Sequence, residues 1–186
     1  MYICMLKIIT LPAKSLRERS KEVDRDYVNA AETQKLMAEM IATMYEDDGI
    51  GLAAPQIGQN IRICVIGQEA DKGLKDDLIL INPVWEKTSK KTNFDLEGCL
   101  SVPHTFGKVK RFSEIYVTAL DRNANKIEFA AKKFFARVIQ HEVDHLDGIL
   151  FVDIATDICT EDNRPNDLLC PPNLSDKHSL NIWKNC

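Results

Sequence analysis

No stretch of this 186-residue chain approaches the ~20 consecutive apolar residues that a membrane-spanning helix needs. The opening segment, residues 1–7, is too short for the apolar core of a signal peptide, and Lys7 interrupts it. Residues 15–25 are rich in arginine and carry serines, but several acids among them make a poor transit peptide. Repeats and low-complexity segments are missing, which removes solenoid and fibrous architectures. An excess of positive charge is missing too: the formal net charge is −4 and the pI near 5.6, so nonspecific nucleic-acid binding is not expected. A local basic cluster, Lys87, Lys90 and Lys91, reads as a solvated loop rather than a ribosome contact. What remains is an ordinary soluble composition, 45% hydrophobic and 28% charged, long enough for one compact domain with a real core.

Chemistry concentrates in His141-Glu142-Val143-Asp144-His145. On a helix, positions i and i+4 lie one turn apart on the same face, so both imidazoles can reach a single metal ion. Glu142 lies about 100° around the axis from His141, close enough to reach a water on that metal but poorly placed as a ligand. The pattern predicts a metal site with a built-in general base, and therefore hydrolysis. The competing reading is a solvated helix face that happens to be rich in His, Glu and Asp.

A catalytic site of this kind needs a third protein ligand and an open position. A third histidine in the metzincin manner would fall at position 151, which is Phe151. Glu161 could serve as in gluzincin peptidases, although its surroundings lack helical character. Cys99 is the remaining candidate, within Glu97-Gly98-Cys99-Leu100-Ser101-Val102-Pro103. Gly98 gives that backbone freedom and Pro103 prevents a helix, so Cys99 falls on a shaped loop. A thiolate with two imidazoles suits zinc or ferrous iron. A third segment, Gly49-Ile50-Gly51-Leu52-Ala53-Ala54-Pro55-Gln56, permits close approach by an extended ligand and offers an amide donor in Gln56. Its bland alternative is a tight helix-to-strand connection.

The three segments GIGLAAPQ, EGCLS and HEVDH, in that order, resemble peptide deformylase over roughly residues 5–153. The resemblance implies Cys99, His141 and His145 as metal ligands and Glu142 as general base and acid. It implies Gln56 and the Leu100 backbone N–H as donors to the formyl oxygen. It aligns Ile50, Phe134, Val138 and Arg137 with a methionine pocket, although Phe134 and Val138 at i, i+4 also suit an ordinary core. The backbone around Gly51 and Gly98 would pair with substrate as a strand. Glu97 would orient Gln56 or a ligand, with Arg111 as its partner, a surface ion pair being the bland alternative. The implied reaction is removal of formyl from formyl-methionyl nascent polypeptides by a metal-bound water. Fe2+ is the expected cellular metal, with Zn2+, Ni2+ or Co2+ compatible with the same ligands. The expected setting is the bacterial cytoplasm, or an organelle, with a transient ribosome contact and a monomer or weak dimer. A noncatalytic metal-binding domain would need neither Glu142 nor Gln56, and a Glu161 peptidase would tolerate Cys99→Ala.

Residues 24–48 read as an amphipathic helix, with Leu36, Met40 and Met44 in one row and Met37 and Ile41 beside it. Strands are predicted at 61–67, 78–84, 115–121 and 126–131, and the metal helix at 132–146, closed by Gly148. Cys64 reads as a buried strand residue in a reducing compartment, while Cys4, Cys159, Cys170 and Cys186 have no ligand spacing. The predicted fold is α+β: antiparallel β-sheets packed around a central metal-binding helix, plus an N-terminal amphipathic helix. The catalytic unit is expected to span 1–153, with 154–186 an irregular, partly disordered tail.

Overall fold

The computed structural model describes residues 4–160. The expected N-terminal helix is two helices. Asp24 caps α1 (Arg25–Asn29) by accepting from the Tyr27 N–H, and α2 runs Ala31–Glu46. Ala30 between them is extended, at φ −61° and ψ 140°. The Gln34 amide donates to the Val28 and Arg122 carbonyls, so the break leaves the Val28 carbonyl satisfied. The methionine row behaves as its period requires, with Met37, Met40 and Met44 fully buried. Each such side chain contributes on the order of 1.5–3 kcal/mol.

The strands follow as β1 (Gly51–Ala53), β2 (Ile63–Ile66), β3 (Leu78–Lys87), β4 (Thr92–Cys99), β5 (Val102–Phe112), β6 (Glu114–Leu120) and β7 (Lys126–Lys132). Helix α3 (Lys133–Leu146) comes next, and β8 (Thr156–Thr160) closes the described chain. All pairings are antiparallel, in a five-stranded sheet of order β1-β2-β3-β6-β7 and a three-stranded sheet of order β4-β5-β8. The four predicted strands are β2, β3, β6 and β7, and the predicted fold class holds. Thr156–Thr160 differs from the irregular tail expected there, because it hydrogen-bonds along the free side of β5. The rest of that expected tail, and Glu161 with it, lies outside the described residues.

The unbroken apolar run of β2 has a physical reason. Cys64 and Ile66 face one core with Val138, Ile139, Val143 and Leu146 of α3, while Ile63 and Val65 face the other with Met37, Met40 and Met44 of α2. A strand covered on both faces loses the usual alternation. A third cluster joins Cys99, Val102 and Val109 to Leu150 and Phe151. Helix α3 is therefore wedged between the two sheets, with eleven of its fourteen residues buried, among them every residue of the HEVDH segment except Asp144. Among the described residues Cys4, Cys64 and Cys99 are free thiols, with Cys64 buried as expected, and Cys159 is disulfide-bonded. No helix among the described residues is long and apolar enough to cross a membrane.

Candidate metal centre and active site

Three segments converge on one face of α3. Strand β4 shifts register between Gly98 and Cys99, where Cys99 already pairs with Val102 across a tight turn. An irregularity of this kind re-aims a side chain, and here it delivers the Cys99 thiol to α3. The Cys99 Sγ lies 3.2 Å from His145 Nε2. One ligand atom from each of Cys99, His141 and His145 lies within 4.8 Å of the others, and all three residues are buried. Bonds of about 2.3 Å to sulfur and about 2.1 Å to nitrogen in a tetrahedral array place S and N about 3.6 Å apart. The trio therefore fits a divalent metal with little adjustment. Two buried atoms beside it, Glu142 Oε2 and His145 Nδ1, have no hydrogen-bond partner. An orphaned carboxylate oxygen next to the trio is what a metal-activated water would satisfy.

Gln56 follows β1 in a single 3-10 turn, Ala54–Ile57. Its Oε1 accepts from the Ala53 N–H at 2.8 Å, which assigns the amide orientation and turns Nε2 toward Cys99 Sγ, 3.5 Å away. The Ile9 N–H donates to the Gln56 carbonyl and the Leu11 N–H to the Ser101 carbonyl. One N-terminal segment thus ties the GIGLAAPQ and EGCLS segments together.

Glu97 is fully buried and takes four donors. His141 Nδ1 lies 2.9 Å from Oε2, which leaves the other ring nitrogen for the metal. Arg111 grips both oxygens at 2.9 Å and also reaches Asp144. Burial opposes ionisation of Glu97, but the hydrogen bonds from His141 and Arg111 outweigh it and hold its carboxyl below the ordinary range. Burial likewise disfavours a charged His141, yet its bonds to Cys99 and Glu97 raise its pKa well above the usual value. Burial, and then the His141 charge, depress His145. The Glu142 carboxyl is pushed up to about 7, chiefly by burial, which suits a group that must take and return a proton near neutrality.

An open cavity of about 410 Å³, its mouth included, is lined by Gly49, Ile50, Gly51, Gln56, Gly98, Cys99, Leu100, Val138, His141 and Glu142. Nine of the fourteen sequence-predicted site residues line it, while His145 meets Cys99, Glu97 meets His141 and Arg111 meets Glu97. Phe134 and Arg137 are not part of the lining, contrary to the expected pocket wall. Phe134 lies one turn before Val138 and packs against the main core. Arg137 precedes Val138 by one position, so its side chain projects about 100° away, and its guanidinium is buried against Glu97. The sequence reading also missed Asp144, which holds Arg111 from inside the HEVDH segment. Phe151, at the position that lacks a third histidine, instead stacks on His141 with ring centroids 6.3 Å apart.

The comparisons with known proteins point to one family. The family model described as polypeptide deformylase matches residues 5–161. Peptide deformylase 2 of Gloeobacter violaceus is 43% identical over 148 residues, 80% of this chain and 78% of the relative. The peptide deformylase of Pelotomaculum thermopropionicum is 44% identical over 156 residues, 84% of this chain and 95% of that protein. The Met-Ala-Ser-bound crystal structure of a class I type b peptide deformylase from Acinetobacter baumannii superposes with a TM-score of 0.78 at 30% identity, covering 82% of this chain and 99% of that one. The chain belongs to the polypeptide deformylase family.

Proposed function

We propose that this chain removes the formyl group from the amino terminus of formyl-methionyl nascent polypeptides, yielding formate and a free amine. The observation that carries the reading is the Glu142 carboxyl, buried beside the Cys99–His141–His145 trio with one oxygen unpartnered. A divalent metal held by that trio supplies a Lewis acid and lowers the pKa of water toward neutrality. Glu142 takes the proton from the attacking water and returns it to the departing amine as the formyl C–N bond breaks. Gln56 Nε2 and the Leu100 N–H donate to the formyl oxygen as it gains negative charge, and losing one such donor typically costs ~100-fold or more. The backbone of Ile50, Gly51 and Gly98 pairs with the peptide, while Ile50 and Val138 wall the space for the methionine side chain. Glu97 orients His141, with Arg111 holding Glu97 in place.

We infer ferrous iron as the cellular metal from membership of the family; one thiolate and two imidazoles suit it, and suit zinc, nickel or cobalt as well. Activity of the iron form then decays in aerated buffer, through oxidation of metal and thiol, while a nickel form persists; equal persistence of both contradicts iron. Every residue given a role here comes from one chain, which supports a monomer or weak dimer as the working form. The compartment is the one that makes formyl-methionyl chains, the bacterial cytoplasm or an organelle, and the contact with the ribosome is transient. Mass spectrometry of formyl-Met-Ala-Ser after incubation separates the rival readings. Loss of formyl from an intact tripeptide supports deformylation; cleavage of an internal amide, retained in Cys99→Ala, supports a peptidase instead.

A further inference from the structure

We infer that Arg137 is a positioning residue of the metal centre, acting through Glu97 on His141; the inference deepens the proposed function and rests on the trio holding a metal. Arg137 is 1% exposed, the largest of the fully buried side chains among the described residues. Its Nη1 donates to Glu97 Oε1 at 2.6 Å and to the Val109 carbonyl at 3.0 Å, and its Nη2 donates to the Asn93 carbonyl at 3.1 Å. One guanidinium therefore ties α3 to both β4 and β5 and to the carboxylate between them.

Glu97 gains something from Arg137 that Arg111 does not supply. Arg111 approaches from β5 alone, and its second contact, Asp144, lies on the helix beyond His141. Arg137 and His141 are four residues apart on α3, one turn of the same helix, and both end on Glu97. The carboxylate is thus pinned from the helix that carries the histidine and from the strands that carry Cys99. Buried Glu97, Arg111 and Arg137 with the half-buried Asp144 make a quartet of two carboxylates and two guanidiniums, balanced in formal charge. Rotation of the Glu97 carboxylate is thereby blocked at both oxygens, and the His141 ring is fixed with it. Groups that orient a metal ligand at one remove typically change metal affinity by ~10–100-fold when lost.

The test keeps the charge and removes the geometry. Lysine cannot reproduce three bonds in a planar fork, so Arg137→Lys reads positioning rather than electrostatics. Co2+ alone is the probe, its binding to metal-free full-length chain followed by thiolate-to-cobalt absorption and chelator competition, with melting temperature measured in parallel. This readout does not depend on deformylation, so failure of the functional reading and failure of this inference are distinguishable. The expected result is Co2+ affinity reduced ~10-fold in Arg137→Lys. In a Glu97→Gln background the same substitution changes affinity less than ~3-fold, because the two residues act in series. A lowered melting temperature with Co2+ affinity within ~2-fold of wild type overturns the inference and leaves Arg137 a structural clamp. Equal, multiplicative losses in both backgrounds overturn it also. Should Arg137→Lys not fold, Arg137→Gln is judged by the same two comparisons.

Discussion

Adding one methyl group at Gly51 should disable the site without unfolding the chain. A Cβ built there lies 2.3 Å from Glu142 Oε1, 2.7 Å from its Cδ and 2.8 Å from its Cγ. Carbon and its neighbours rest at about 3.5–4.0 Å, so the carboxyl must retreat by roughly 1 Å or more. Glu142 is buried and lines the cavity beside the trio, so the retreat moves its carboxyl out of the position it holds there. A misplacement of about 1 Å costs ~100-fold, and full loss of a general base ~100- to 10,000-fold. The fold itself tolerates the change, since Gly51 is outside the positive-φ glycines and lies in a strand paired to Ile66. The reduced freedom of the unfolded chain contributes about 0.4–1 kcal/mol in favour of alanine. The assay is formate release by metal-loaded Gly51→Ala, with melting temperature alongside. We expect kcat/KM down ~100-fold or more, a melting temperature close to wild type, and no further loss when Gly51→Ala is added to Glu142→Ala. Activity within ~3-fold of wild type in Gly51→Ala refutes the placement of Glu142 on which the reasoning depends.

Other consequences follow from the same structure. Charge reversal in Arg111→Glu sets three carboxylates together in the interior, and breaking a buried pair costs about 3–5 kcal/mol; urea denaturation should show that loss, and an unchanged midpoint would make Arg111 a surface residue in effect. The Tyr45 phenol is pushed up to about 12, first by burial and then by its hydrogen bond and charge interaction with Asp77. The raised value means that its stabilising contribution is whole below pH 10 and is lost as pH rises through about 12. Phenolate absorbance should therefore show one tyrosine titrating earlier in Asp77→Asn than in wild type, and superimposable curves would contradict the pairing. A chain ending after Thr160 keeps β8 and every residue of the site, so it should release formate at the wild-type rate. A folded but inactive truncation would assign the tail a part in catalysis.

The sequence made the site legible and left its support obscure. HEVDH lies on a helix whose period is plain, and the two imidazoles meet because a helix places i and i+4 together. Strands β4 and β5 were not legible, for a physical reason. Their inward positions include Glu97 and Arg111, which satisfy each other, beside Val102, Phe106 and Val109, so polar residues that mark a loop in sequence lie in the interior here. Arg137 was misplaced for the same cause: a charged residue one position from a pocket residue looks like pocket, until its partner is seen across the chain. Strand β8 was hidden by its own burial pattern, in which only Cys159 is fully covered. The split between α1 and α2 has no proline or glycine to mark it: Ala30 is extended there, and the Gln34 amide takes up the Val28 carbonyl.

The decisive measurement is formate release from formyl-Met-Ala-Ser by anaerobically purified, iron-loaded chain, beside Glu142→Ala. The wild type is expected to release formate and the variant to lose ~100-fold or more in rate, with both proteins folded and carrying metal. Folded, metal-bound wild type that releases no formate, or a variant as active as wild type, would contradict the proposed function.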